Sequence, residues 1–344
     1  MRPQKIRRPR LLIALTICLV LATLLAMVSY VVFFKSNVSQ PKTVYIYVPS
    51  QAKYSQIEQI LDTILINKGT FGQVSRLLQY PKLIKAGKYK IMPSMGNWAL
   101  VRLLRSGNQT PVRLSFVKFR MLNDAVIYCS KKMEFSEQEL QLAIDSNVFL
   151  NQNQLTQQAA IALFVPNTYE FYWNMRADKF VEKMVKQYLN FWTQDRRDKA
   201  AKMNLTAQQI TIVASIVEEE TNKADEKARV AGVYLNRLAL NMKLQADPTV
   251  KYAVGDFTLR RILNIHLAYD SPYNTYFYEG LPPAPICTPS VVSLEATLNA
   301  ETHDYLFFCA KEDFSGYHNF AKTFAEHNLN AQRYQSELNK RKIK

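Results

Sequence analysis

The stretch TAQQITIVASIVEEET, residues 206–221, is the most informative segment of this 344-residue chain. Thr206 and Gln209 have the spacing of a capping box, which predicts the start of a helix. The apolar residues at positions 210, 212, 213, 216 and 217 then fall on one broad helical face. We expect one long helix over residues 206–240, following another over 179–196.

Three glutamates follow the apolar face. Glu220 lies near the middle of that face, Glu219 lies at its edge, and Glu218 points away from it. A carboxyl group on an apolar face is costly to ionise, so its pKa is raised, and a raised pKa suits a general acid at neutral pH. The other interpretation is a helix that becomes solvent-facing here, with the glutamates as its hydrated end. Periodicity alone leaves both open.

Polar and aromatic residues downstream suit a carbohydrate groove. Asn236, Gln245 and Asp247 could hold sugar hydroxyl or acetamido groups, although an Asp-Pro pair is also an ordinary turn initiator. Tyr273 and Asn274 precede the proline-rich loop GLPPAPI, and tyrosine rings stack on the apolar faces of sugars. The prolines alone would predict only rigid loops.

The histidines show no recognised metal signature. Binding of a metal ion by His303, His318 and His327 is an alternative, but their spacing fits no zinc motif, and a hydrogen-bonded structural role is the preferred interpretation. No Gly-rich phosphate loop, G-x-S-x-G elbow or Cys-His signature occurs in the sequence. We therefore expect no metal and no cofactor.

Residues 11–34, LLIALTICLVLATLLAMVSYVVFF, carry no charge and are long enough to cross a bilayer as a helix. A cleaved signal peptide would have a shorter apolar stretch that ends in small residues, whereas bulky residues precede Lys35. Basic residues crowd the first ten positions and only Lys35 follows closely. The positive-inside rule therefore places residues 1–10 in the cytoplasm and the rest outside it, after a polar linker at 36–42.

The net charge of +16 does not identify a nucleic-acid binder. The basic residues are scattered apart from clusters at the two chain ends, and no nucleic-acid motif accompanies them. The excess suits a surface near anionic lipid or a carboxylate-rich polymer. An odd number of cysteines outside the apolar stretch argues against a disulfide framework.

Several blocks together resemble the YceG-like family of endolytic murein transglycosylases. They are ASIVEEET, NRL, LQADPTV, YNTY, GLPPAPI and GYHNF…EHN, which occur in the family's order over residues 164–334, with FVPNTYEF at 164–171 upstream. KAGKY at 85–89 and LLRSG at 103–107 resemble the family's LysM-like subdomain. The chain departs from the family pattern at Asn167, Glu219, Ala284 and Ser290 and in VKFR at 117–120, but no candidate catalytic group is lost.

The resemblance implies that Glu220, the second glutamate of the family's E-x-E pair, is catalytic. The expected activity is cleavage of the MurNAc–GlcNAc bond of peptidoglycan strands, with the muramic acid 6-hydroxyl in place of water. This leaves 1,6-anhydro-MurNAc ends and would terminate the growth of nascent strands. One acid is then sufficient, whereas hydrolysis ordinarily needs two carboxylates. The residues expected to position the sugar are Gln245, Asp247, Tyr273 and Asn274, and those expected to support catalysis are Glu218, Asn236 and His318.

The expected architecture is α+β. Its segments are a cytoplasmic tail (1–10), a transmembrane helix (11–34), a LysM-like α+β subdomain (43–120), a helical connector (121–163), a mixed α+β YceG-like catalytic domain (164–335) and a basic tail (336–344). We expect a single-pass protein of the inner membrane with its catalytic domain outside the cytoplasm. Expected partners are peptidoglycan strands, the membrane and, from the resemblance, peptidoglycan synthases (penicillin-binding proteins). Two alternatives are a non-catalytic membrane-anchored peptidoglycan-binding scaffold and a metal-dependent wall hydrolase.

Overall fold

The structure, a computed structural model, describes residues 8–153, 155, 158–259 and 261–341. Positions 1–7 of the predicted cytoplasmic tail and 342–344 of the predicted basic tail lie outside the described residues. The chain divides into two compact units. The first runs to Arg113 and includes Lys132–Glu134 and Glu170–Met175, and the second holds Leu114–Lys131, Phe135–Tyr169 and the chain from Arg176 onward.

The first unit is a long apolar helix followed by a small α+β fold. Its elements are α1 (Arg8–Ser29), a π-helical turn (Tyr30–Phe34), β1 (Val44–Val48), α2 (Tyr54–Leu61), α3 (Lys68–Leu77), a 3-10 turn (Tyr80–Lys82), β2 (Gly87–Ile91) and α4 (Asn97–Ser106). β1 and β2 are antiparallel, with Val44 opposite Ile91 and Val48 opposite Gly87. Alternate strand residues face one core, which the apolar sides of α2, α3 and α4 complete.

The apolar helix meets the length and hydropathy requirements of a membrane span. Leu11–Phe34 has a mean hydropathy of 2.9 and is the one such segment among the described residues. None of its strongest 18-residue apolar window is buried within the protein, whereas Val32 and Phe33 near its end pack against the core of the unit. A lipid environment would remove that apolar surface from water.

The polar linker predicted at residues 36–42 is wrong for its first residues. Ser36 forms an isolated antiparallel bridge with Gly96, and Val38 forms one with Leu65. Asn37 and Val38 are each only 5% exposed. The reason is that Val38 supplies apolar surface to the core while Asn37 satisfies its polar atoms with backbone and side-chain partners, so the segment behaves as an edge strand.

The second unit is mainly helical. Its helices are α5 (Leu122–Ser130), α6 (Glu137–Asp145), α7 (Val148–Gln152), a 3-10 turn (Ala159–Leu163), α8 (Ala177–Phe191), α9 (Gln194–Lys202), α10 (Ala207–Glu220), α11 (Lys227–Ala239), α12 (Asp247–Val254), α13 (Asn264–Leu267), α14 (Val291–Leu298) and α15 (Phe324–Lys340). The boundary between the units falls within β3 (Val112–Ser115) and within β4 (Thr168–Phe171), which pair with each other. Within the second unit, β5 (Phe307–Ala310) pairs with β6 (His318–Ala321). The second pair is antiparallel, with Ala310 opposite His318.

The two long helices predicted at 179–196 and 206–240 are each divided, and the second division positions the site. α10 ends at Glu220, and Thr221 is extended with φ −142° and ψ 138°. The Thr221 hydroxyl donates to Glu226 at 3.2 Å and accepts the N–H of Lys223 at 3.0 Å, so side-chain bonds stabilise a turn before α11 begins. Glu220 is therefore the last residue of a helix.

The α+β fold with an N-terminal apolar helix is confirmed. α10 is the central element of the second unit, because every residue from Ile210 to Val217 is buried. It packs against α11 and α14. The fully buried hydroxyl of Ser215 accepts the N–H of Ile286 at 3.0 Å, which fastens the proline-rich loop to this helix.

Candidate active site

The helix that carries Glu220 begins as its sequence predicts. The hydroxyl of Thr206 accepts the N–H of Gln209 at 3.2 Å, and the Gln209 side chain accepts the N–H of Thr206 at 2.8 Å. These bonds complete the capping box. From this fixed start the buried helix reaches Glu220 at its C-terminal end, so the position of that carboxyl group is set by the core.

Glu220 is half-buried and hydrogen-bonded to a tyrosine of the neighbouring helix. The phenol of Tyr234 donates to Oε1 of Glu220 at 2.5 Å. Tyr234 is 2% exposed, and burial together with the Glu220 charge raises its pKa well above the ordinary value, so it remains a donor. No local pattern predicted this pair, because the two residues lie on different helices where the sequence predicted a single helix over 206–240.

The environment of Glu220 favours its protonated form. Burial raises the pKa of Glu220 to about 7, the hydrogen bond from Tyr234 opposes the rise, and the negative charges of Asp247 and Glu219 add to it. A carboxyl group with this pKa is partly protonated at neutral pH and can donate a proton to a leaving group. Helix periodicity predicted a raised pKa at this position, and the direction agrees with its surroundings.

Glu220 opens onto a cavity of about 250 Å³ within the second unit. The lining comes from α10, α11, the segment 244–247, Tyr276 and the β5–β6 hairpin. The residues that line it are Glu220, Tyr234, Arg237, Leu244, Gln245, Asp247, Tyr276, Phe308, Cys309, Ala310 and His318. Hydrogen-bonding groups and aromatic side chains from several elements thus surround a single half-buried acid, which makes this cavity the candidate binding site.

Two of the four predicted sugar-positioning residues line this cavity. Gln245 is exposed and has a left-handed backbone with φ 50°, which turns the chain just before α12. Asp247 is the first residue of α12, is exposed, and accepts a 2.7 Å hydrogen bond from the phenol of Tyr276. Tyr276 was not singled out in the sequence, although it lies in the YNTY block.

Arg237 fixes the loop that carries these two residues. Its guanidinium donates to the carbonyl oxygens of Leu244 at 2.7 Å and Leu306 at 2.6 Å. It therefore joins the loop before α12 to the start of β5, two segments that line the same cavity. The sequence contained this residue in its NRL block, but an arginine without a known partner carries no structural signal.

The other two predicted sugar-positioning residues do not line the cavity. Tyr273 is 6% exposed and its hydroxyl donates to Gln158 at 3.0 Å. Asn274 is fully buried, and its amide donates to the carbonyl oxygens of Leu267 and Tyr269 at 3.0 and 2.8 Å. The Asn274 carbonyl accepts the N–H of Tyr276 at 3.0 Å. The polar atoms of Asn274 are thus used to shape the loop that holds Tyr276.

Glu218 is not a solvent-facing residue, contrary to the helix-face expectation. One of its oxygens accepts hydrogen bonds from Ser290 at 2.7 Å and Ser293 at 2.5 Å and pairs with Lys227 at 3.2 Å. Burial alone would raise its pKa, but these two hydroxyls and the Lys227 charge outweigh burial and lower the pKa of Glu218. Glu218 is therefore held ionised, in an environment opposite to that of Glu220.

Glu219 lies between these two glutamates in sequence and faces basic residues. It pairs with Lys118 at 2.7 Å and lies 3.7 Å from Arg120. The guanidinium of Arg120 in turn lies 4.6 Å from the centre of the Phe257 ring. The three consecutive glutamates thus have three different environments. The helix-face count distinguished their positions on the helix but not the basic partners of Glu218 and Glu219.

His318 lines the cavity and is oriented by a buried carboxylate. Nδ1 of His318 lies 2.7 Å from Oε2 of Glu226, and the backbone N–H of His318 donates to Oε1 at 2.8 Å. Glu226 is only 4% exposed. The His318 ring packs edge-on against Phe308, another lining residue, with centroids 5.2 Å apart. With Nδ1 engaged by Glu226, the Nε2 edge is the one left for a ligand. The sequence did not indicate Glu226.

Asn236 supports the site from outside the cavity. Its amide donates to the carbonyl oxygens of His303 at 2.7 Å and Tyr305 at 3.1 Å, which holds the segment leading into β5. His303 is itself bonded to the carbonyl oxygen of Arg229 at 2.9 Å. His327 stacks on Phe307 with centroids 5.5 Å apart. Within the described ranges, no group of three His, Cys, Asp or Glu side chains is arranged to hold a metal ion.

Comparison with known proteins places the chain in a family. The model of the YceG-like family matches residues 46–333. The chain is 29% identical over 321 residues to a Bacillus subtilis (strain 168) protein named endolytic murein transglycosylase, with 87% of each chain covered. It is 35% identical over 141 residues to the protein of that name from Streptococcus pneumoniae (strain D39), covering 40% of this chain and 25% of that one.

A solved structure gives the same result. The crystal structure of a YceG-like protein from Listeria monocytogenes matches with a TM-score of 0.55 and 27% identity, covering 84% of this chain and 99% of the other. The family match extends from β1 through the first part of α15, so it includes every residue that lines the cavity. This chain therefore belongs to the YceG-like family.

Proposed function

We propose that this protein is a membrane-anchored endolytic lytic transglycosylase of peptidoglycan. It cleaves the MurNAc–GlcNAc bond of glycan strands, leaves 1,6-anhydro-MurNAc ends, and so terminates the growth of nascent strands. The observation that carries the proposal is a single half-buried glutamate with a pKa of about 7 at the wall of a polar cavity. The relatives' name, endolytic murein transglycosylase, supports the substrate and the reaction class.

In the proposed reaction Glu220 supplies the proton that the leaving oxygen needs. The bond between C1 of MurNAc and the bridging oxygen breaks, and the proton of Glu220 goes to that oxygen. The 6-hydroxyl of the same MurNAc forms the new bond to C1, and its proton goes to the Glu220 carboxylate. Glu220 is then protonated again, so atoms and charges balance with one carboxyl group.

The surrounding residues have separate proposed roles. Gln245 and Asp247 contact the sugar, because both are exposed and line the cavity beside Glu220. His318 contributes the Nε2 edge of its ring, oriented by Glu226. Of the remaining two predicted sugar contacts, Asn274 shapes the loop that presents Tyr276, and Tyr273 bonds to Gln158 from the same loop.

Glu218 and Asn236 support the fold of the site. Glu218 is held by bonds to Ser290, Ser293 and Lys227, and Asn236 holds the segment before β5. Both side chains therefore stabilise elements that carry lining residues. Neither one lines the cavity itself within the described part of the chain.

The proposed topology is a single-pass anchor at residues 11–34 with the N-terminus in the cytoplasm and the catalytic unit outside it. The length and hydropathy of the apolar segment support a membrane span. The excess of basic residues before Leu11 supports the orientation. The other proposed segments are the LysM-like subdomain (43–120), the connector (121–163), the catalytic domain (164–335) and the basic tail (336–344). Nascent glycan beside peptidoglycan synthases is the substrate that such an anchor makes accessible.

The test compares two glutamates in the full chain, purified in detergent and incubated with isolated glycan strands. Glu220→Gln keeps the size of the side chain and removes the acid, so fragments with anhydro ends should disappear from the mass spectrum. Glu218→Gln, assayed at a temperature at which it remains folded, should retain cleavage. If Glu220→Gln cleaves strands at close to the wild-type rate, the proposed mechanism is wrong, and strand binding without cleavage by the wild type would support the scaffold alternative.

A further inference from the structure

The end of the apolar helix is built into the small fold of the first unit. The side-chain amide of Asn97 donates to the carbonyl oxygen of Val32 at 2.8 Å. Gly96 lies so close to the helix end that a Cβ there would come within 2.5 Å of the carbonyl oxygen of Phe34. Val32 and Phe33 also pack against the core of the unit. No flexible segment separates the helix from the fold.

A pair of buried amides locks this junction. Nδ2 of Asn37 donates to Oδ1 of Asn97 at 2.6 Å and to the carbonyl oxygen of Asn67 at 2.8 Å. Oδ1 of Asn37 accepts the N–H of Asn67 at 2.6 Å. Buried amides are costly unless their partners are in place, so this network permits little change of geometry. It ties the first residues after the helix to the starts of α3 and α4.

Exposed apolar side chains flank the point where the helix leaves the unit. Ile66 is 65% exposed, and its backbone N–H donates to the carbonyl oxygen of Asn37 at 2.9 Å. Met92 is 43% exposed and is joined by a turn to Met95, whose carbonyl oxygen accepts the N–H of Asn37 at 3.0 Å. Phe34, 60% exposed, ends the helix itself. Three apolar side chains thus share the end of the unit that bears the span.

The length of the span places this end of the unit at the membrane surface. The 24 residues of Leu11–Phe34 make a helix of about 36 Å, whereas the hydrocarbon core is about 30 Å thick. The turn Tyr30–Phe34 therefore reaches the headgroup region. There the ring of Phe33 packs edge-on against Trp98 with centroids 6.1 Å apart, and the exposed Lys35 follows. Aromatic and basic residues at this depth are typical of membrane interfaces.

We propose that the exit surface, defined by Phe34, Ile66, Met92 and Trp98, contacts the lipid bilayer, so that the first unit lies directly on the outer face of the membrane. The proposal rests on the membrane anchor of the proposed function and adds lipid as a partner of the folded unit. Lys35, next to this surface, is placed to meet lipid phosphates. The anchor then fixes the orientation of the unit.

The test uses the full chain with Cys18 and Cys309 replaced by serine and a polarity-sensitive fluorophore on a new cysteine. Ile66→Cys and Met92→Cys place the probe on the exit surface. Leu77→Cys is the matched control, because Leu77 is 64% exposed but lies at the other end of α3, about 15 Å along the helix. The proteins are reconstituted into vesicles of phosphatidylcholine and phosphatidylglycerol that contain lipids with a nitroxide at the headgroup.

The probes at positions 66 and 92 should be blue-shifted and several-fold more strongly quenched than the probe at 77. Flotation of the same vesicles checks the anchor separately, and strand cleavage by the same samples checks the activity. If the chain floats with the vesicles but probes 66 and 92 report water as the probe at 77 does, the lipid contact is wrong and the anchor stands. A chain that does not float overturns the anchor and the lipid contact together.

Discussion

The phenol of Tyr234 donates a 2.5 Å hydrogen bond to Oε1 of Glu220, which joins the last residue of α10 to the middle of α11. This bond stabilises the ionised form of a carboxyl group that burial otherwise keeps protonated. The site thus balances two opposing influences on one proton. Their relative size determines the pH range in which Glu220 can act as an acid.

Removing the Tyr234 hydroxyl should move the activity to higher pH. Glu220 must be protonated to act, so activity falls as the pH rises through its pKa of about 7. The bond from Tyr234 lowers that pKa, so Tyr234→Phe should shift the falling limb of the pH–rate profile to higher pH. Asp247→Asn removes a charge that raises the pKa and should shift the limb the other way. Tyr317→Phe, which loses a bond to the exposed Asp225, is the control. Shifts of the same sign in both site variants would contradict this account.

Glu220→Gln should make the folded protein more stable at alkaline pH. The folded pKa is raised from 4.5 to about 7, so the unfolded chain loses this proton first and wild-type stability falls as the pH rises between those values. Gln carries no such cost. At pH 8 the variant should gain roughly 2–4 kcal/mol in free energy of unfolding, and at pH 4 the difference should vanish. Urea denaturation at pH 8 and at pH 4 measures both differences in the free energy of unfolding. A variant that is less stable than wild type at pH 8 would show that ionised Glu220 does not destabilise the folded protein.

Glu218→Gln should destabilise the fold. It leaves Lys227, whose side chain is 7% exposed, without its anionic partner, which costs about 3 kcal/mol for a buried pair. Because the folded pKa of Glu218 is lowered, this contribution is present above the ordinary glutamate pKa and is lost as the pH falls through the lowered value. Glu182→Gln, from an exposed pair with Lys179, should cost under about 1 kcal/mol. If the two variants lose the same free energy of unfolding in urea denaturation, the buried pair of Glu218 with Lys227 stabilises the fold no more than the exposed pair does.

His318→Asn should impair cleavage with little loss of stability. Asparagine can still donate to Glu226 in place of Nδ1, but it has no group at the position of Nε2, which is the edge left for a ligand. We expect kcat/KM on glycan strands to fall about tenfold, equivalent to about 1.4 kcal/mol. His327→Asn is the control, since His327 stacks on Phe307 and is not a lining residue. Similar kinetics in the two variants would remove His318 from the site.

Local sequence patterns predicted the start of the helix and the position of Glu220, whereas contacts between residues distant in sequence could be identified only in the folded structure. The Thr206 cap, the apolar face and the position of Glu220 follow from spacing along one helix. The break after Glu220 does not, because it depends on the bonds of Thr221 with Glu226 and Lys223. The linker prediction failed for a related reason, since Asn37 is polar by composition but buried by its partners.

The residues that line the cavity could also be predicted only in part from the sequence. Gln245, Asp247 and His318 were found from their types and sequence blocks, and all three line it. Tyr273 and Asn274 have equally suitable chemistry for sugars, but their burial depends on contacts with Gln158, Leu267 and Tyr269. Tyr234 and Arg237 have no local signal, because their functions are defined by residues on other elements.

The most direct test of single-acid lytic cleavage is digestion of glycan strands by the full chain in water enriched in oxygen-18. If the 6-hydroxyl attacks, the new MurNAc ends are anhydro sugars that contain no atom from solvent. The account therefore predicts fragments lighter by one water than hydrolytic products and free of the label, with none formed by Glu220→Gln. Labelled reducing ends throughout the wild-type digest would contradict the account and would identify water as the nucleophile, with Asp247 as its base.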